Sequence, residues 1–79
     1  MTTASQLRAA RALLGWSQPQ VAEAAGLSTM TIKRAEGTGK PAASAEAIAA
    51  IRTALDSAGV EFIEQNGSGP GVRLKERQK

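Results

Sequence analysis

A chain of 79 residues with a formal charge of +3 is one small domain by length, and its 42% hydrophobic content overstates its core, because sixteen of those 33 residues are alanine. The absence of cysteine and histidine excludes disulfides, thiolate chemistry and the usual zinc ligands, so neither metal nor cofactor is implied. No apolar run approaches the ~20 residues that span a bilayer, and Met1 to Ser5 lacks the charged and apolar regions of a signal peptide, so no membrane partner and a cytoplasmic location are expected.

Thr3-x-x-Gln6 forms a capping box that starts a first helix, with Leu7, Ala10 and Leu14 on one buried face. Gly15 is a natural left-handed stop. Ser17-x-x-Gln20 is a second capping box, and Pro19 falls in the first turn, where its missing N–H does no harm. The second helix runs to about Ala25, Gly26-Leu27 makes the turn, and Ser28 caps a third helix carrying Thr29 to Glu36. Gly37-Thr38-Gly39-Lys40-Pro41 breaks the pattern. A fourth helix follows from Ser44 to about Ala58, burying Ile48, Ile51 and Leu55, and Gly59 closes it.

The period then changes to two. Val60-Glu61-Phe62-Ile63 and Val72-Arg73-Leu74-Lys75 alternate on either side of Asn66-Gly67-Ser68-Gly69-Pro70-Gly71, which predicts a short β-hairpin with a glycine-rich loop. Val60, Phe62, Val72 and Leu74 share one face. That face either covers the helices or leaves an edge to pair with a second copy of the chain.

Within residues 17–37 four positions have a geometric reason. Ala22 lies where the third helix must cross the second closely, Gly26 where the turn calls for positive φ, and Leu27 and Ile32 face inward. Capped helices on both sides complete a helix-turn-helix. Trp16 reads as core.

Charge is unevenly spread. Residues 1–40 carry a net +3, residues 41–64 a net −3, and residues 65–79 a net +3. A basic front, an acidic middle and a basic tail suggest one surface facing a polyanion. An extended tail would present Arg73, Lys75, Arg77 and Lys79 as a basic strip; a frayed terminus is the other reading.

The stretch from Leu7 to Leu55 resembles the lambdoid-phage Cro/repressor family of DNA-binding domains, the XRE family. The resemblance is carried by Gly15-Trp16-Ser17-Gln18, Val21-Ala22, Ala25-Gly26-Leu27-Ser28, Ile32 and Glu36-Gly37. It implies a mainly α fold: a compact four-helix bundle with a lambda repressor-like helix-turn-helix, here followed by the hairpin. Residues 1–59 would be the DNA-binding domain and residues 60–79 the hairpin and basic tail of the same single domain. Carried over position by position, it implies base reading by Thr29, Met30, Lys33 and Arg34, phosphate contacts from Gln18, Ser28 and Lys40, and a structural ion pair between Arg11 and Glu36. Two positions depart from the family: Ala35 replaces a larger aliphatic, and Thr29-Met30 stand where glutamine or serine often reads bases. Hydrogen-bonding readout therefore shifts toward Lys33 and Arg34.

Blander readings stand beside these: Lys33-Arg34 as a solvated helix face, Arg11–Glu36 as an incidental surface pair, Gln18 as a helix-start residue. An enzyme is not expected, since the seven acids are scattered. Gly37-Thr38-Gly39-Lys40 superficially resembles a phosphate-binding loop, which would require glycine at position 34 and serine or threonine at position 41, where Arg34 and Pro41 stand. The expected function is a sequence-specific double-stranded DNA-binding transcriptional regulator, a repressor, inserting its third helix into the major groove as a homodimer on a palindromic operator. The alternative is a helix-turn-helix protein acting through protein binding, as an antitoxin or an antiactivator, with a toxin or another regulator as partner.

Overall fold

The computed structural model describes residues 2–64, 67 and 69–75. Four helices, α1 (Ala4–Leu14), α2 (Gln18–Ala25), α3 (Thr29–Ala35) and α4 (Ala45–Ser57), precede two strands, β1 (Val60–Ile63) and β2 (Gly71–Leu74). The fold is mainly α with a C-terminal antiparallel hairpin. Glu36 caps α3 rather than continuing it, and β2 starts and ends one residue earlier than the alternation predicts.

Each helix begins where a side chain can satisfy an orphan backbone donor. Thr3 and Gln6 form a reciprocal capping box, as do Ser17 and Gln20, while Ser28 and Ser44 accept from the Thr31 and Ala47 amides. The first three helices end alike, each at a glycine of positive φ followed by a bond back across the last turn: Trp16 N to Arg11 O, Leu27 N to Ala22 O and Thr38 N to Lys33 O. At Gly26 the space around an added Cβ is open but φ is +71°. Gly26→Ala is therefore expected to cost about 1–2 kcal/mol through backbone strain alone; a thermal melt with an unchanged midpoint would contradict this.

The core draws on every element. Leu7, Ala10, Val21, Ala22, Ile32, Ala35, Ile51, Leu55, Val60 and Phe62 form one buried cluster, with Leu14, Trp16, Leu27, Ile48 and Val72 packed half-buried against it. The small side chain of Ala22 lets α2 lie against α3 while it also packs on α4. Ala35, where a larger aliphatic was the family's habit, is buried too.

The hairpin covers this bundle. Its strands pair Val60 with Leu74 and Phe62 with Val72, and Val60 and Phe62 are buried among the helices. Leu74 shares that face through its pairing with Val60 but remains 41% exposed. Gln6 ties the hairpin down. Its Oε1 accepts from the Thr3 amide in the capping box, so its Nε2 is free to donate to the carbonyls of Ile63 (3.1 Å) and Gly71 (3.0 Å). The guanidinium of Arg52 lies 4.9 Å from the centre of the Phe62 ring, donates to Thr2 Oγ1 and pairs with Glu64.

Candidate nucleic-acid interface

The helix-turn-helix is anchored by one residue. Glu36 is 4% exposed and sits at the C-terminal end of α3. Its carboxylate accepts a forked pair from Arg11, Nε to Oε2 at 2.8 Å and Nη2 to Oε1 at 3.1 Å, and a third bond from Gln18 Nε2 at 3.1 Å. Arg11 Nη1 also donates to the Trp16 carbonyl in the α1–α2 turn. The hydrogen bond to Glu36 raises the Arg11 guanidinium above its ordinary value; partial burial opposes this and the Coulomb attraction adds to it. One buried carboxylate thus joins α1, the start of α2 and the end of α3. The expected Arg11–Glu36 pair is thus formed, with the carboxylate side chain 5% exposed and the guanidinium 25%.

The other acidic groups are largely occupied elsewhere. Glu61 pairs with Arg73, Glu64 with Arg52 and Asp56 with Lys75. The hydrogen bond from Arg73, reinforced by its charge, holds the Glu61 carboxylate below its ordinary value. What that fully exposed pair contributes is present above the ordinary carboxylate range and lost as pH falls through the lowered value. Arg73 is therefore committed within the hairpin and Lys75 to α4 instead of forming a free basic strip, and Arg77 and Lys79 lie outside the described residues.

Among the described residues four cations have no carboxylate within pairing distance: Arg8, Lys33, Arg34 and Lys40. Lys33 and Arg34 are on the last turn of α3, Lys40 is exposed in the loop that follows, and Arg8 lies against Gly37 at the start of that loop. Unpaired positive charge thus gathers around one helix end and its loop. The acidic middle of the sequence is mostly neutralised within the fold.

The remaining positions fall around α3. Met30 is 51% exposed, more than any other large hydrophobic side chain among the described residues, and Thr29 is half-buried at the first turn. Ser28 Oγ accepts from the Thr31 amide and lies 2.9 Å from Thr31 Oγ1, so its hydroxyl already serves the cap. Gln18 spends one of its two amide hydrogens on Glu36. Arg34 passes beneath the glycine loop, its Cγ 4.0 Å from where a Cβ on Gly39 would be, and its Nε is buried without a hydrogen-bond partner.

Sequence reasoning missed Arg8. Its Nη1 donates to the Glu36 carbonyl and its Nη2 to Ser5 Oγ at 3.0 Å. The available signal was spacing: Arg8 and Arg11 lie three residues apart on one face of a helix.

The geometry defines a helix-turn-helix protein with a cationic second helix of the pair. The family model described as a helix-turn-helix domain matches residues 4–62, and the chain belongs to that family, whose domain occurs in XRE-like DNA-binding regulators. A search of curated proteins gave no match. The family is regulatory and DNA-binding rather than enzymatic. No helix among the described residues is long and apolar enough to cross a membrane, and no three of their acidic groups cluster as metal ligands.

Proposed function

We propose that this protein is a cytoplasmic, sequence-specific double-stranded DNA-binding transcriptional repressor that lays α3 in the major groove. The observation that carries this reading is the gathering of unpaired cations at α3 and its loop, on a helix whose end is held by a buried carboxylate. Arg34 and Lys33 supply hydrogen-bonding readout, with Arg34 suited to guanine O6 and N7. Thr29 and Met30 contact base edges, Met30 through a thymine methyl. Gln18, Ser28 and Lys40 hold phosphates, helped by the amides at the starts of α2 and α3.

We further propose action as a homodimer. Among the described residues the sheet has two strands, and the exposed Leu74 on β2 supplies an apolar contact at its edge. A two-fold pair would present two α3 helices about 34 Å apart and read a palindromic site. The alternative of a protein-binding regulator, an antitoxin or antiactivator, finds less support. Three of the acids that would meet a basic partner, Asp56, Glu61 and Glu64, are already paired.

The test is a titration of fluorescent duplexes, including the region upstream of the protein's own gene, at two salt concentrations. One duplex should bind most tightly, with affinity falling as salt rises. Arg34→Ala is expected to flatten the preference between duplexes by about 1–3 kcal/mol, whereas Lys40→Ala should weaken all duplexes alike. Binding indifferent to salt would refute the interface, and identical behaviour of the two variants would refute the division of roles.

A further inference from the structure

At the end of α3 three carbonyls are satisfied from within: Glu36 N donates to Ile32 O, Gly37 N to Arg34 O and Thr38 N to Lys33 O. The Glu36 carbonyl lies beyond that set, and Arg8 Nη1 donates to it from α1. The same guanidinium is steadied by Ser5 Oγ. It places a cation at the negative end of the α3 dipole, where the interaction is favourable. A Cβ at Gly37 would make only ordinary contacts, 3.5 Å from Arg8 Nη1 and 3.6 Å from the Ala4 Cβ, so the glycine is called for by its φ of +96° and not by the approach of α1.

Two arginines on one face of α1 thus hold one residue at both ends. Arg11 takes the Glu36 carboxylate and Arg8 takes its backbone carbonyl. The two contacts differ in what they restrain. Arg11 reaches through a side chain with its own torsional freedom, whereas Arg8 grips the main chain directly after the turn bearing Lys33 and Arg34. Of the two arginine contacts it is the one made to the main chain.

We propose that Arg8 is a positioning residue for DNA discrimination: it fixes the C-terminal turn of α3, and through it the base-reading side chains, without itself touching DNA. The proposal rests on the DNA-reading assignment of α3. Discrimination between duplexes depends on sub-ångström placement of bidentate groups, while general affinity depends on how many phosphates are neutralised. A residue that acts only through the helix end must therefore change the first and spare the second.

Arg8→Ala and Arg8→Lys are compared with the unaltered protein, well below their melting temperatures, by two measurements. The first is amide hydrogen exchange in the free protein. Gly37 and Thr38 should exchange roughly tenfold faster in Arg8→Ala than in the unaltered protein, a 1.4 kcal/mol loosening of that turn, with α4 amides unchanged. The second is the ratio of dissociation constants for preferred and scrambled duplexes across a salt series. In Arg8→Ala that ratio should shrink several-fold while the slope of affinity against salt stays the same, and Arg8→Lys, which keeps a cationic donor, should recover most of the ratio. A slope reduced by about one phosphate with the ratio intact would show a backbone contact and overturn the proposal. Unchanged exchange at Gly37 and Thr38 would overturn it as well. Faster exchange in Arg8→Ala, in a protein that distinguishes no duplexes even unaltered, would leave the clamp standing and remove the DNA reading, taking Arg8's positioning role with it.

Discussion

Truncating Phe62 to alanine is expected to remove about 3–5 kcal/mol of stability. Its ring is 8% exposed and shares a cluster with Leu7, Ile51 and Leu55, so the loss combines transfer of the ring to water with a cavity between hairpin and helices. Arg52, held above the ring, would lose its aromatic partner at the same time. A domain of this size has a total stability on the order of 5–10 kcal/mol, so the variant should lose about half of its stability. The measurement is urea denaturation followed by the helical circular dichroism signal. Because the signal reports α1 to α4 and the change is in β1, a shifted midpoint means that helices and hairpin unfold as one cooperative unit. A helical transition that ignored Phe62 would make the hairpin an appendage.

Glu36→Ala is expected to cost about 2–4 kcal/mol, somewhat under the figure for breaking a fully buried pair because Arg11 keeps partial access to water. The substitution strands three donors at once, Arg11 Nε and Nη2 and Gln18 Nε2. For a domain of this size each kcal/mol moves the melting temperature by about 4–8 °C, so a drop of at least 8 °C is expected by differential scanning calorimetry. Glu36→Gln keeps the volume and one acceptor but not the charge, and should fall between. Loss of Glu36 also releases Gln18 at the start of α2, so discrimination between duplexes should decline together with stability. A variant that melts like the parent would mean that the forked pair adds nothing beyond the apolar packing around it.

Much of this architecture can be read from short stretches of chain because the bonds that punctuate it are local. A cap closes within three residues, as between Thr3 and Gln6, and a left-handed stop closes within five, as between Trp16 and Arg11. The same locality explains the hairpin strands, whose alternation marks an inner face. It also explains where reading stopped short. Gln6 is legible as half of a capping box, yet the other half of its amide crosses 57 and 65 residues of sequence to reach Ile63 and Gly71. Leu74 follows the alternation of its strand but remains 41% exposed.

Charge shows the division most clearly. The sequence by itself determined the caps, the helix-turn-helix and the presence of basic residues along α3 and its loop. Only the tertiary structure decided which charges remain available. It joined Arg52 to Glu64, Arg73 to Glu61 and Lys75 to Asp56, turned Arg8 onto the Glu36 carbonyl, and left Lys33, Arg34 and Lys40 without acidic partners. The reason is physical. A helix end is satisfied by its neighbours in the chain, whereas an ion pair requires two side-chain tips within about 4 Å, a distance set by how the elements pack and not by where their residues stand in the sequence.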